Sequence, residues 1–290
     1  MARTARSARA VAVAGVVAVL GAGVASCADA GQDSEPEHRS FALQGRTLTV
    51  DSDDSALELV PADVDEVKVT RWFEGRVVVG SDPKVSWEME DDRLKLRLRC
   101  SGFVADCSAK HRIEVPHGVA VTVKDGDGSV TAEGFEEALS IRTGDGSVRV
   151  SGISGPLEVR TDDGSVRVAD SSGTLRLRTA DGSVRVSDSS GSLEMHSDDG
   201  SVRAEGVEAR SVKASTKDGA VRIELGVVPD VVEARSDDGS VDIGLPRDTY
   251  RVTAKSADGS VDVSVPRDES SAHVVTAQTQ DGSVKVRTAN

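Results

Sequence analysis

"RTADGSVRVSDSSG", residues 178–191, carries the tetrapeptide Asp-Gly-Ser-Val that sets the rhythm of the second half of the chain. Asp-Gly pairs of this kind begin at Asp127, Asp145, Asp163, Asp181, Asp199, Asp218, Asp238, Asp258 and Asp281. The interval is 18 residues four times, then 19, 20, 20 and 23. Ser follows in eight copies and Ala220 in one, and Val comes next in all nine. Self-similarity at a fixed period marks a repeat architecture.

Aligned on the Asp, the copies share more than the turn. Val stands three residues later throughout, from Val130 to Val284, and Ala, Val or Ile two beyond that. Six before the Asp comes Val or Leu, as in Leu157, Leu175 and Leu193. Four before it stand Val159, Leu177, Met195, Ala214 and Ala234, and two before it Thr or Ser is usual. Each copy therefore reads as two short strands, alternating in and out, with a turn at each end. Two topologies fit. Asp-Gly is a strong hairpin signal, so the copies could be antiparallel ribbons. The alternative is a coil whose corner is the Asp-Gly turn, with successive coils stacked in parallel about 4.8 Å apart. Like residues at equivalent positions favour the coil, because stacking sets equivalents directly above one another. In that reading Gly supplies a positive φ at the corner, and the Asp and Ser side chains accept from nearby amides. One coil buries roughly four small aliphatic side chains, at about 1.5–3 kcal/mol each, too little to order it alone. The copies must fold as a set. The last copy, with Lys285 and Arg287, is expected to close the stack as an open edge.

Bulk composition agrees with a thin aliphatic interior. Aromatic residues are 2% of the 290, and the net charge is −14. Loss of Arg3, Arg6 and Arg9 with a leader would take it to −17. Such a surface repels nucleic acid and anionic headgroups, so no nucleic-acid partner is expected.

The leader is legible in residues 1–26. Three arginines precede an apolar run from Ala10 to Val24, too short for a comfortable membrane span, and "VASC" ends at Cys27. Small residues before a Cys resemble the lipobox of bacterial lipoproteins. That resemblance implies that Cys27 carries the lipid and becomes the mature N-terminus. The protein would then be anchored by that lipid at the extracytoplasmic face of the cell membrane. Residues 27–40 are polar and aperiodic and read as a flexible tether. With Cys27 set aside, Cys100 and Cys107 remain, and an even remainder in an exported chain reads as a disulfide. Its short loop would contribute about 2.5 kcal/mol.

Residues 41–123 form a head of period-two strands. "RLKLRLRC" puts Leu94, Leu96, Leu98 and Cys100 on one face and Arg93, Lys95, Arg97 and Arg99 on the other. Both tryptophans, Trp72 and Trp87, sit here, and core packing is their expected role. Residues 124–290 are the repeat.

The outward positions are where function could lie. Four after the Asp stand Arg149, Arg167, Arg185, Arg203 and Arg222, a candidate anion-binding stripe weighed against a solvated face that blocks sheet aggregation. Five before it, Glu158, Arg176, Glu194, Lys213 and Glu233 alternate in sign and satisfy one another. The nine aspartates line one edge. The nonapeptide pattern of calcium-binding β-rolls is absent, and neither a metal nor a cofactor is expected. No Ser/His/Asp arrangement, phosphate loop or zinc spacing is legible, and the five histidines are scattered. Acids that recur in every copy argue for architecture rather than catalysis.

"IEVPHGVAVTVKDGDGSV", residues 113–130, followed by the repeated tetrapeptide, resembles the putative-adhesin family of uncharacterised bacterial envelope proteins. The similarity runs from about Val67 to the end. It implies a β-strand head leading into a parallel β-solenoid, and it carries over no functional residues. The expected architecture is thus all-β, a parallel, β-helix-like solenoid of about nine coils preceded by a β head. The expected role is an adhesin-like binding or scaffolding module without catalysis, its partner a cell-wall polymer or envelope protein. Envelope-stress signalling is the alternative, and a carbohydrate-active enzyme on a β-helix the third reading.

Overall fold

The computed structural model describes residues 33–77, 80–102 and 105–289. Every regular element among them is a strand. The first seven are β1 (Glu37–Phe41), β2 (Thr47–Ser52), β3 (Ala56–Ala62), β4 (Val67–Val77), β5 (Gly80–Glu90), β6 (Arg93–Gly102) and β7 (Ala105–Pro116). The repeat then supplies β8 (Ala120–Lys124), β9 (Val130–Glu133), β10 (Leu139–Thr143), β11 (Val148–Ser151), β12 (Leu157–Thr161) and β13 (Val166–Ala169). Next come β14 (Thr174–Arg178), β15 (Val184–Ser187), β16 (Ser190–His196), β17 (Val202–Ser215), β18 (Val221–Leu225) and β19 (Val231–Arg235). The last are β20 (Val241–Leu245), β21 (Arg251–Ser256), β22 (Val261–Val263), β23 (Val274–Thr279) and β24 (Val284–Thr288).

The repeats stack as parallel coils rather than antiparallel ribbons. Consecutive strands alternate between two sheets, so each copy gives one strand to each. Sheet A joins β9, β11, β13, β15, the start of β17, β18 and β20 in parallel, with Val130, Val148, Val166, Val184, Val202, Val221 and Val241 directly paired. Sheet B joins β8, β10, β12, β14, β16, the end of β17 and β19 in the same way, aligning Leu139, Leu157, Leu175, Leu193, Val212 and Val232. The alternation faces the aliphatic columns of the two sheets toward each other. Nearly all of these Val, Leu and Ile side chains are fully buried in one continuous core. Phe135 and Tyr250 are its largest fully buried side chains.

The corner explains the tetrapeptide, for a reason other than the expected one. None of the Asp-Gly glycines has a positive φ. Left-handed backbone occurs at the opposite corner, at Gly134, Gly152, Asp170, Asp188 and Gly206. The Asp-Gly glycine is required because the coils touch there. A Cβ on Gly146, Gly164, Gly182 or Gly200 would sit closer than 3.0 Å to the carbonyl oxygen of the equivalent residue one coil below. Beside it runs a column of hydroxyls. Thr179 Oγ1 donates toward the carbonyls of Asp162 (3.1 Å) and Gly164 (3.0 Å) and accepts from Gly182 N–H (3.1 Å). Thr161, Ser197, Thr216, Ser236, Ser256 and Thr279 repeat the arrangement. Each hydroxyl satisfies buried backbone groups of two coils at once, worth about 1 kcal/mol per bond.

Chain order and stacking order part company at both ends. In the head, β2 and β3 lie between β6–β7 and β8–β9, and β4 and β5 cap the outside as antiparallel partners of β7 and β6. At the far end β23 and β24 insert between β19–β20 and β21–β22. The edge is therefore formed by β21 and β22, where Val261 is 45% exposed, and Lys285 and Arg287 lie inside the stack. Charge accounts for this. Insertion sets Lys285 between Asp242 and Asp262, and Gln278 between Arg235 and Lys255. Strict chain order would put Asp242 beside Asp262 and Arg235 beside Lys255, and like charges directly opposite are destabilising.

Candidate functional site

Sheet A aligns the predicted stripe rung by rung. Arg149 pairs in register with Arg167, Arg167 with Arg185, Arg185 with Arg203, and Arg203 with Arg222. The five fall into two groups. Arg185 and Arg203 both reach Glu205, the latter at 3.4 Å, and Arg222 lies 4.0 Å from Asp242. Arg149 and Arg167 have no carboxylate within 4.0 Å among the described residues, and both are exposed. They are alone in this among the arginines of β10–β15, since Arg142, Arg160, Arg176 and Arg178 all pair with Glu158 or Glu194.

The next outward column holds Ser151, Ala169 and Ser187, also in register. These small side chains leave a shallow trough of about 470 Å³ beside Arg149, Arg167 and Arg185. In the same column Glu133 stands beyond Ser151, and Glu205 beyond Ser187. The trough is thus three rungs long with an acid at each end.

Sheet B carries a second cationic column that the sequence reading passed over. Lys124, Arg142, Arg160 and Arg178 align in register and lead to His196. The signal was there, three residues before each Asp. This column is answered by its own face, with Arg160 Nε 3.1 Å from Glu158 and Arg178 Nη2 2.8 Å from Glu194. Nearby, Ser215 meets His196 Nδ1 at 2.8 Å, and His196 Nε2 lies 3.3 Å from Asp198, so stacking assembles a trio that linear spacing hides. Lys217 Nζ holds the same Asp198 oxygen at 2.8 Å and helps keep that carboxyl ionised below its ordinary range. The trio cross-links two coils.

The corner aspartates form an edge of like charge. Asp181 first, then burial, Asp145 and Asp162, raises the Asp163 pKa, and burial first, then Asp218 and Asp281, raises that of Asp238. No group of three or more His, Cys, Asp or Glu among the described residues is arranged to hold a metal ion.

Two buried polar groups stand apart. At Asp125, in the first corner, both carboxylate oxygens are closed off from solvent. The Ser52 hydroxyl and Gly128 N–H partly offset the shift, though neither completes a hydrogen bond to the carboxylate. Burial pushes its pKa up to about 7, with Asp54 and Asp127 adding repulsion. In the head, His111 is fully buried, and burial together with the Arg71 guanidinium lowers its pKa to about 4. Trp87 packs in the core with the Arg71 guanidinium 4.4 Å from its ring centroid, and Trp72 is partly exposed. Cys100 and Cys107 form a disulfide between β6 and β7, with Cα atoms 6.3 Å apart. Cys27 lies outside the described residues.

Residues 156–290 match the family model described as Toastrack DUF4097. No curated protein matches the chain. Two solved structures are similar over 88% of this chain. A putative adhesin from Bacteroides fragilis NCTC 9343 is 13% identical and 98% covered, with a TM-score of 0.40. A putative cell adhesion protein from Clostridium sporogenes ATCC 15579 is 10% identical and 99% covered, with a TM-score of 0.22.

Proposed function

We propose that this protein is an adhesin-like binding and scaffolding module of the cell envelope, without catalysis, anchored by a lipid on Cys27 at the extracytoplasmic face. In this reading residues 27–40 are the tether, the head stands nearest the membrane, and a solenoid of about nine coils carries the binding face outward. The observation that carries it is the unpaired couple Arg149 and Arg167. A chain with 49 carboxylates against 35 lysines and arginines has acids to spare, yet among the described residues these two stacked guanidiniums have none within 4.0 Å. Adjacent cations repel by about 1 kcal/mol in water, so an anionic partner would relieve a cost the fold leaves standing. Sheet-edge protection does not explain them, because both sit in the middle of sheet A.

An array of envelope polymers and proteins, probed with the full chain and with an Arg149→Glu/Arg167→Glu variant, tests this reading. Retention that the variant loses supports it. Equal retention by both, or turnover of a polysaccharide on the array, overturns it. In parallel, Cys27→Ala should release the protein from the membrane fraction, and a variant that stays membrane-bound would refute the anchor.

A further inference from the structure

We infer that the trough on sheet A takes a linear polyanion lying along the stack axis, a glycan with a carboxylate on successive sugars, with three consecutive units in contact. This rests on the binding reading above and names its ligand class.

Direction comes first. The cations repeat only along the axis, one per rung, at about 4.8 Å. Across the strands the potential changes sign, because four residues before each arginine lies a corner aspartate, Asp145, Asp163 or Asp181. Mutual repulsion there raises the Asp163 pKa, a sign of an intact negative edge. An anion crossing the strands would run from Arg167 into that edge. One running along the axis stays over the arginine column.

Length follows from the ends. The small column of Ser151, Ala169 and Ser187 keeps the trough open for three rungs, and Glu133 and Glu205 close it. From Arg149 to Arg185 is two rungs, about 10 Å. Arg185 is already shared with Glu205, so Arg149 and Arg167 make the stronger contacts.

Chemical class follows from the lining. Guanidinium favours planar, bidentate acceptors, which a carboxylate presents in one plane. The floor is a methyl between two hydroxyls, suited to a sugar ring with its own hydroxyls, and the rung spacing is close to the advance of an extended glycan per ring. A nucleic-acid duplex is disfavoured, since it needs a broad basic surface and would overlie the aspartate edge. A phosphodiester polymer offers the same charge at a different repeat and is kept as an outcome of the test.

The test is binding of galacturonate oligomers, from monomer to hexamer, to the immobilised full chain, with polyglycerol-phosphate oligomers in a second arm. The inference predicts a gain of about tenfold per added unit up to the trimer, little beyond it, and steep loss in salt. Arg149→Glu/Arg167→Glu should abolish binding with an unchanged melting temperature, while Arg142→Glu/Arg160→Glu on sheet B should leave it intact. Absence of length dependence, equal binding by the sheet A variant, or preference for the phosphate arm would overturn it. If galacturonate fails while the array still shows a partner lost in the sheet A variant, the ligand class falls and the binding reading stands.

Discussion

The first Asp-Gly corner and the eight that follow it share a backbone and differ in chemistry. At the later corners the residue two before the Asp is Thr or Ser, and its hydroxyl gives and accepts between coils. At the first corner that residue is Asp125, wedged above Ser52–Ser55 where the head joins the repeat. A hydroxyl can donate to the carbonyls below it, whereas a carboxylate can only accept. Asp125 imitates its counterparts only when protonated. The hydroxyl bonds of the regular corners therefore do not titrate, whereas the junction residue in the same place does.

The largest effect that would break this comparison is steric. Gly182→Ala places a methyl against the Gly164 carbonyl and should cost about 3 kcal/mol or more, read as a fall in denaturant midpoint. Gly152→Ala, at a left-handed residue (φ 66°) where the added Cβ meets the Gly134 backbone only at an ordinary contact distance of 3.6 Å, should cost only about 1 kcal/mol. Equal losses at the two glycines would mean that the Asp-Gly corner is not a coil-to-coil contact.

The second effect is electrostatic. Because the folded pKa of Asp125 is raised from 3.8 to about 7, its contribution to stability is fully present below about pH 4 and is lost as pH rises through 7. Asp125→Thr restores the donor toward the Asp53 and Ser55 carbonyls. It should stabilise the protein by about 2 kcal/mol at pH 8 and much less at pH 5. Thermal melts of both proteins across that range check it, and a gain independent of pH would contradict it. Thr179→Val, within the regular stack, should lose about 1–2 kcal/mol with no dependence on pH between 5 and 8. The smallest effect belongs to the exposed edge. Asp163→Asn removes one member of a repelling series and should raise the melting temperature slightly at neutral pH, a gain that vanishes in acid once its neighbours are protonated.

Much of this was legible in the sequence because ladders convert chain spacing into spatial contact. Val148, Val166 and Val184 predict both the core and the register, and the same arithmetic aligns Arg149, Arg167 and Arg185. What escaped was chemistry that depends on a second coil. Asp-Gly reads as a turn motif, so its glycine suggested φ rather than the carbonyl beneath it. The left-handed residues at Gly134, Gly152, Asp170, Asp188 and Gly206 recur every 18 residues but stand at the other corner, in changing residue types. The trio of Ser215, His196 and Asp198 becomes visible only once a 19-residue interval is read as one step up the stack. Placement of β23 and β24 inside the end of the stack is non-local, and its trace was the charge pattern of Asp242, Asp262 and Lys285.

Paired cysteines test the in-register stack most directly. Glu158 and Arg176 are outward neighbours on adjacent rungs, and two Cα atoms about 4.8 Å apart can be bridged. Glu158→Cys/Arg176→Cys should oxidise to an intramolecular disulfide in the folded chain, while Glu158→Cys/Arg178→Cys, offset by two residues, should stay reduced. Ready bridging of the offset pair, with none between the aligned one, would contradict the parallel stacking on which the core, the corner and the arginine trough all depend.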